Sequence, residues 1–329
     1  MSKRYSVVGI GNAIVDVLSH AEDHFLDLMG IEKGIMQLVE RERAEMLYAA
    51  MTERVEAPGG SVANTLAGLG ELGLKTGFMG RVRDDALGKL YADAMIQGGT
   101  DFCNPPAPAD LPTSRSMIFV SPDGERSMNT YLGVSAELGP QDVSEEAAGD
   151  TELLFLEGYL YDKAPGMEAF EKAAQLCRAG GGKAGIALSD PFCVTRHRVH
   201  FQRLVATEMD FVIGNHHEWK ELYETDDLEA ALAKAAEVCP LVVCTRSGES
   251  VILIRGEERA EAPVHMITPV DATGAGDQFA AGFLYGLATG ASLEACGRMG
   301  VIAAAEVIGH LGARPQTDVK AAFGRAGLL

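Results

Sequence analysis

The chain has 329 residues, of which 47% are hydrophobic, so it can bury a large core and is not expected to be disordered. The 47 Asp and Glu residues outnumber the 28 Lys and Arg residues, and the net charge of −19 disfavours nucleic acid or an anionic membrane as a partner. No apolar run approaches the roughly 20 residues that span a bilayer, and six Cys residues without a C-x-x-C pair are typical of reduced thiols in a cytoplasmic protein.

The first half of the chain mixes strand, helix and hairpin patterns. A short apolar run at 5–10 ends in glycine and predicts a buried parallel strand. Two β-prone runs at 116–121 and 127–132 flank Pro-Asp-Gly-Glu and predict a hairpin, and a Pro/Ala-rich stretch at 104–112 predicts a hinge. The remaining predictions are strands at 35–39 and 74–79 and helices at 22–29, 40–51, 61–72 and 84–97.

From about residue 150 onward strands and helices alternate, which predicts an α/β fold whose mostly parallel sheet carries helices on both faces. The predicted strands are 153–156, 183–188, 211–214 and 241–245, and the predicted helices are 165–178, 198–207, 228–238 and 276–287. Residues 16–57 and 111–134 do not follow this alternation, so we expect them to form a small β-rich lid. The large domain would then comprise 1–15, 58–110 and 135–329.

The stretch at 268–277, Thr-Pro-Val-Asp-Ala-Thr-Gly-Ala-Gly-Asp, is the most informative part of the chain. Gly274, Ala275 and Gly276 have little or no side chain, so their amides can approach a ligand closely at the positive end of a helix. A carboxylate beside such an anion site, here Asp277, suits a base that deprotonates a hydroxyl attacking a phosphoryl group. An ordinary glycine-rich turn with a capping Asp is an equally good interpretation of this motif alone.

A second glycine cluster, Gly59-Gly60-Ser61, precedes a predicted helix and could bring bare backbone to a small polar ligand. Asn64 lies one turn into that helix, and Asp16 follows the first strand, where open α/β sheets bind ligands. An ionised carboxylate can accept two hydroxyl protons and therefore suits a vicinal diol. A tight strand-to-helix connection and an ordinary turn Asp are the alternatives.

Two familiar phosphate-binding patterns are missing. The run from Gly9 to Ile14 lacks the third glycine of a dinucleotide fingerprint, and Asp16 is too close to act as its ribose acid. No Walker A pattern occurs anywhere in the chain. Any phosphate chemistry must therefore use a different cradle.

Asn215 and Glu218 follow the predicted strand at 211–214 and share one face if a helix begins there. Their oxygens suit Mg²⁺, often through water, whereas the His pair between them is better explained as two surface residues than as a transition-metal site. Arg126 follows the hairpin turn. A mobile Arg on a lid could stabilise phosphoryl charge, and a lone exposed Arg is the simpler alternative.

Together these segments resemble the ribokinase/PfkB family of small-molecule kinases. The resemblance runs from Val7 to Gly312 and includes the glycine-glycine segment, Gly80-Arg81 with Asp84 and Gly88, the N-x-x-E pair and the 271–277 loop. It implies a ribokinase-like fold with a small lid. It also implies ATP and Mg²⁺ as cofactors, and a monovalent cation such as K⁺ in many members.

By this resemblance Asp277 is the catalytic base, and the amides from Gly274 to Asp277 form the anion hole. Asn215 and Glu218 organise Mg²⁺ and its waters. The resemblance also implies a nucleotide-binding set that includes Asn215. Its other members are Thr245, Ser247, Gly248 and Thr273. One departure is Ala272, where members usually carry Thr, Ser or Pro.

The N-terminal part is most similar to the adenosine kinase branch, whose G-N-P-L-L-D resembles the run from Gly11 to Asp16. The run 188–192, Leu-Ser-Asp-Pro-Phe, resembles L-S-A-P-F, and Glu125-Arg126-Ser127 resembles N-R-S, whose Arg meets the phosphate. Ala13 and Met36 depart from that branch. The substrate-binding positions implied are Asn12, Asp16, Gly59, Gly60, Asn64, Tyr159 and Phe192, the last two as stacking partners of the base.

The sequence therefore predicts ATP-dependent phosphorylation of a nucleoside 5′-hydroxyl, with adenosine as the first candidate. A sugar kinase of the same family, acting on ribose, fructose or a ketodeoxy acid, is the first alternative. A non-catalytic nucleotide-binding protein is the second. The predicted partner is a small-molecule nucleoside or sugar, and the chain is expected to be a monomer or a homodimer.

Overall fold

A computed structural model describes residues 3–264 and 267–329, apart from the side chain of Asp162. The strands are β1 Tyr5–Ile10, β2 Ile14–His20, β3 Met36–Leu38, β4 Val55–Gly59, β5 Thr76–Met79, β6 Thr100–Phe102, β7 Ser114–Val120, β8 Arg126–Tyr131, β9 Thr151–Glu157, β10 Lys183–Ala187, β11 Phe211–Asn215, β12 Val242–Arg246, β13 Glu249–Arg255 and β14 Glu258–Ala262. The helices are α1 Asp23–Met29, α2 Arg41–Ala50, α3 Ser61–Glu71, α4 Ala86–Gln97, α5 Glu145–Gly149, α6 Ala164–Ala179, α7 Pro191–Thr207, α8 His216–Tyr223, α9 Leu228–Val238, α10 Ala275–Ala288, α11 Leu293–Val307 and α12 Val319–Arg325.

Nine strands form a large sheet in the order β14-β13-β12-β11-β10-β9-β1-β5-β6. Pairing is parallel from β6 to β12 and antiparallel only for β13 and β14. Successive side chains of a strand point to opposite faces, so the apolar run of β1 sends Val7 into one core and Val8 and Ile10 into the other. Helices α3, α10 and α11 cover the first face, and α6, α7 and α9 cover the second. The predicted α/β fold is confirmed.

Five strands form a second, smaller sheet in the order β3-β8-β7-β2-β4. Strand β2 buries Val15 and Val17, whereas the alternating residues Ile14, Asp16 and Leu18 are only partly buried. Because side chains alternate between the two faces of a strand, Asp16 points away from the core, and the neighbouring valines anchor the strand in it. The predicted strand at 35–39 and the predicted hairpin both belong to this sheet.

The sequence prediction missed several elements. Strands β2 and β4 lie in regions without a clear run, and the β13–β14 hairpin carries charged residues at its exposed edge. Helix α11 is apolar around most of its circumference because it packs along α10, so it lacks the amphipathic stripe that marks a surface helix. Helix α7 begins at Pro191, seven residues before the predicted start, because Asp190 caps it.

The Pro/Ala-rich stretch at 104–112 is anchored at two points. The side chain of Asn104 accepts a hydrogen bond from the Gly80 amide at 3.1 Å and donates to the Asp142 carbonyl, and Ala107 pairs with Arg83. Its role as a hinge stays a prediction. Among the helices that the structure describes, none combines the length and the continuous apolar surface that a bilayer span requires.

Candidate active site

Polar residues stand at the carboxyl ends of the central parallel strands. Asn12 follows β1, Glu157 ends β9, Asp190 follows β10, Asn215 ends β11, and Thr245 lies near the end of β12. Parallel strands end at the same edge of a sheet, so these residues lie along one crevice, where open α/β sheets bind ligands. Helix α10 begins beside the same edge.

Asp277 lies in the first turn of α10 and is held by two side chains of α3. The hydroxyl of Ser61 donates to its Oδ1 at 2.6 Å, and the amide of Asn64 donates to its Oδ2 at 3.1 Å. Burial raises the pKa of Asp277 to about 6, although both hydrogen bonds favour the ionised form. The carboxylate is thus oriented and close to the range in which a general base operates near neutral pH.

The segment that leads into α10 leaves several backbone donors without an acceptor among the described residues, Gly274 among them. Gly274 has φ 79°, the left-handed conformation that favours glycine, and Ala275 donates its amide back to the Ala272 carbonyl at 3.2 Å. The amides of Gly276 and Asp277 have no acceptor anywhere in the described part of the chain. A Cβ added to Gly276 would meet nothing within 4 Å, so the space beside this residue, at the positive end of the helix, is open. Of the predicted anion-hole residues, Ala275 has its own amide engaged within the loop.

Asp16 approaches the glycine pair from β2. A Cβ at Gly59 would overlap the Asp16 carboxylate, and a Cβ at Gly60, which has φ 97°, would overlap the Asn12 carbonyl oxygen. The Asp16 carboxylate accepts no hydrogen bond from any described residue. Burial raises its pKa to about 7, and Arg314 and Arg126 oppose that shift. Both glycines are therefore needed for close packing, and the carboxylate is free to bind hydroxyl groups.

Asn12 and Asn64 were predicted to bind the substrate, but the side chain of each is already hydrogen-bonded to other protein groups. Asn12 donates its side-chain amide to Glu157 at 2.7 Å and accepts from the Ser135 hydroxyl at 2.7 Å. Asn64 is 5% exposed, donates to Asp277, and accepts from Arg314 Nε at 3.4 Å. Both side chains therefore position their neighbours in this structure.

Arg126 is neither exposed nor lone. Its guanidinium pairs with the Asp271 carboxylate at 2.8 Å, and the two side chains are only 11% and 7% exposed. The same carboxylate accepts the amides of Thr273 at 3.0 Å and Gly312 at 2.9 Å. The alternative of a lone surface Arg was wrong, because Arg126 bridges the small sheet to the loop that leads into α10.

Asn215 and Glu218 form a closed capping box at the start of α8. Asn215 accepts the amides of His217 and Glu218 and donates its side-chain amide to Glu218 at 2.7 Å. Burial raises the pKa of Glu218 to about 7, and the nearby Asp190 adds to the shift. No three His, Cys, Asp or Glu side chains of the described residues converge as a metal site.

The donor set at this position fits Mg²⁺ held through water. Glu218 and Asp190 supply hard carboxylate oxygens, and each Glu218 oxygen already accepts one hydrogen bond, which leaves lone pairs for bound water. When bound, Mg²⁺ would neutralise phosphate charge. Glu218 and Asp190 would orient its waters.

The other predicted nucleotide-binding residues lie near the end of β12 or on turns. Ser247 and Gly248 form the exposed turn between β12 and β13, and Ser247 has φ 54°. Thr245 pairs in register with Asn215, so these two strand ends are adjacent. Thr273 is fixed by its amide hydrogen bond to Asp271.

The two aromatic residues predicted to stack on a base do not contact each other within the described structure. Phe192 is 75% exposed in the first turn of α7. Tyr159 is partly buried and donates its hydroxyl to the Ser189 carbonyl at 3.2 Å. Their stacking role stays a prediction.

Two charged residues of the site were missed. Glu157 is 1% exposed and accepts the Asn12 amides and the Val62 amide, at 2.7 to 3.2 Å. Arg314 reaches Asn64 from the loop after α11. Neither stands in a recognisable motif, and only the apolar strand that ends at Glu157 gave a hint that its carboxylate would be at the crevice.

Comparison with known proteins decides the family. A model described as pfkB family carbohydrate kinase matches residues 30–320. The chain belongs to this family. It is therefore a kinase with an alcohol group as phosphoryl acceptor, and membership of the pfkB family implies ATP and Mg²⁺.

Relatives within the family carry two kinds of name. A 5-dehydro-2-deoxygluconokinase from Bacillus licheniformis is 28% identical over 304 residues, which cover 87% of this chain and 91% of that protein. A solved adenosine kinase from Sinorhizobium meliloti is 43% identical with a TM-score of 0.90, covering 98% of this chain and 99% of that one. A probable sugar kinase from Rhizobium etli CFN 42 is 42% identical with a TM-score of 0.91, covering 99% and 100%. The chain is thus similar to both nucleoside and sugar kinases of the pfkB family.

Proposed function

We propose that this pfkB-family kinase phosphorylates the 5′-hydroxyl of a nucleoside, with adenosine as the first candidate. The observation that carries the proposal is the 43% identity with the S. meliloti adenosine kinase over nearly the whole of both chains. The free carboxylate of Asp16, which suits the vicinal diol of a ribose, gives independent support.

In the proposed reaction the acceptor lies between the small sheet and the carboxyl edge of the large sheet. Asp16 binds two ribose hydroxyls, and the 5′-hydroxyl donates its proton to Asp277. The hydroxyl oxygen forms a bond to the γ-phosphorus of ATP while the bond to the β,γ-bridging oxygen breaks, and ADP leaves with that electron pair.

Charge stabilisation supplies most of the catalysis in this proposal. The γ-phosphoryl oxygens would accept the amides of Gly276 and Asp277, which are already oriented and need no rearrangement. The small sheet would act as a lid that excludes water, with the Arg126–Asp271 pair as its contact with the catalytic loop. Glu218 would orient the waters of Mg²⁺.

A sugar acid is the second candidate acceptor. The curated relative at 28% identity is named for 5-dehydro-2-deoxygluconate, and the guanidinium of Arg314 near Asp16 could compensate a carboxylate. Phe192 is 75% exposed, so its side chain does not enclose a purine in this structure.

A substrate panel separates the two candidates. ADP release would be followed with adenosine, inosine, guanosine, ribose, fructose and 5-dehydro-2-deoxygluconate, with a reaction lacking any acceptor as the control. The proposal predicts the highest kcat/KM for adenosine and a product phosphorylated at the 5′ position by ³¹P NMR. Preference for the sugar acid, or for a free sugar, would refute the nucleoside assignment.

A further inference from the structure

Residues 312–314, which we call the 312–314 segment, contact the loop and helix that carry Asp277. The Gly312 amide donates to Asp271 at 2.9 Å, and Ala313 packs so closely on Gly274 that a Cβ there would lie 2.7 Å from the Ala313 Cα. The position of the 312–314 segment is therefore fixed relative to the 271–277 loop.

Gln278, the residue after Asp277, fixes the same segment from the helix. It is fully buried, and its side-chain amide donates to the Ala313 carbonyl at 3.0 Å and to the Asn64 carbonyl at 2.9 Å. Two carbonyl acceptors define which end of the Gln278 amide is nitrogen. The first turn of α10 therefore positions both Asp277 and the residue next to Arg314.

Arg314 completes a chain of hydrogen bonds that ends at Asp277. Its Nε donates to Asn64 Oδ1 at 3.4 Å, and Asn64 Nδ2 donates to Asp277 Oδ2 at 3.1 Å. The amide of Asn64 has one donor end and one acceptor end, so the donor on Arg314 determines that the NH₂ group faces the carboxylate. Within the described residues Arg314 forms no ion pair, and its second hydrogen bond is to the Met95 sulfur at 3.6 Å, while Asp16 and Glu71 lie near enough to interact with its charge.

We propose that Arg314 is a positioning residue of the phosphoryl-transfer site, which holds the amide of Asn64 with its NH₂ group towards the carboxylate of Asp277. Without Arg314 the amide of Asn64 loses one of the two partners that fix its orientation, so its hydrogen bond to Asp277 is held less well. A weaker hydrogen bond to the carboxylate disfavours the ionised base. The inference rests on the proposed role of Asp277 as the base.

Several charged or titratable groups surround Asp277 and bear on any change in its protonation. Asp16 approaches from β2, Glu157 from the end of β9, Tyr159 from the segment after β9, and Arg314 from the loop after α11. Arg314 is a cation, so its removal could act on Asp277 directly through space as well as through Asn64. The experiment must separate these two routes.

A double-mutant cycle makes this separation. The pKa of Asp277 would be measured by carboxyl ¹³C NMR in the wild type, Arg314→Met, Asn64→Ala and the double variant, with Asp277→Asn to assign the signal. Arg314→Met should raise the Asp277 pKa by about 0.5 or more, and the same change in the Asn64→Ala background should have almost no effect. An unchanged pKa in Arg314→Met, or an equal shift in both backgrounds, would overturn the proposal.

Kinetics give a second readout. With whichever acceptor the wild type uses, Arg314→Met should move the acidic limb of the kcat profile upward by the same amount as the Asp277 pKa, which lowers kcat near about pH 6 by roughly twofold or more, with partial recovery in Arg314→Lys. Arg325→Met, in the exposed last turn of α12, is the matched control and should leave kcat and the profile unchanged. The NMR measurement needs no substrate, so a wrong acceptor would leave the test of Arg314 intact. Full activity of Asp277→Asn would refute the base and not the hydrogen-bond chain.

Discussion

At the scale of single residues, the decisive feature is a carboxylate that is oriented and yet not strongly acidic. Ser61 and Asn64 hold Asp277 in place, and burial raises its pKa to about 6. A base must be ionised to accept a proton, so the fraction of competent enzyme falls as the pH drops through this pKa.

The pH dependence of turnover follows from this pKa. At saturating acceptor, kcat should be level near about pH 8 and fall with a midpoint near pH 6, because Asp277 becomes protonated. A pH series of initial rates with a stability control at each pH tests this. A kcat that stays level to about pH 5 would contradict the assignment.

Asp16 allows a separate test of the acceptor site. Asp16→Ala should raise the acceptor KM by the equivalent of about 1–3 kcal/mol, because two substrate hydroxyls lose their partner. The KM for ATP should change little. Asp27→Ala on the exposed face of α1 is the control. An unchanged acceptor KM would exclude Asp16 as the diol ligand.

At the scale of elements, the junction between the 271–277 loop and α10 separates a structural glycine from a functional one. Gly274 has a positive φ and lies against Ala313, so a side chain there is strained and overlaps its neighbour. Gly276 is helical and open, so a methyl group fits the fold and would enter the space proposed for the phosphoryl group.

A substitution at Gly276 should therefore impair turnover, whereas one at Gly274 should impair stability. Gly276→Ala should keep or slightly raise the melting temperature, since Ala favours helix by up to about 1 kcal/mol, while turnover falls at least about tenfold. Gly274→Ala should lower the melting temperature. Thermal melts and kcat of the two purified variants test this. Wild-type turnover of Gly276→Ala would show that no phosphate approaches these amides.

At the scale of the whole molecule, buried carboxyl groups make stability depend on pH. Glu157 and Glu218 are both almost fully buried, and burial raises the pKa of each to about 7. A carboxyl group with a higher pKa in the folded state than in the unfolded state binds protons preferentially when folded, so stability is lost as the pH rises through the folded pKa.

The free energy of unfolding should therefore decrease from about pH 5 to about pH 8, and Glu157→Gln should make that decrease shallower because one linked proton is removed. Denaturant titrations at several pH values measure the slope. Glu152→Gln on the exposed face of the same strand is the matched control and should retain the wild-type slope. An identical slope in Glu157→Gln would contradict the assignment of a raised pKa to Glu157.

How much of the molecule can be predicted from sequence depends on the distance over which a signal acts. The start of α10 and the apolar strand before Asn12 are encoded by a few adjacent residues, and the structure confirms both. The partner of Asp271 could not be predicted, because Arg126 is 145 residues away and only the folded small sheet brings it near. Arg314 was missed for the same reason, because its significance comes from a contact with Asn64 across 250 residues.

The most direct test of the account is turnover of Asp277→Asn with ATP and the acceptor found in the substrate panel. The side chain keeps its size and can still contact Ser61, so the fold and the KM for ATP should be preserved. We expect kcat to fall by roughly 10²–10⁴, the usual scale for loss of a general base. A folded Asp277→Asn variant with near wild-type kcat would contradict the central claim.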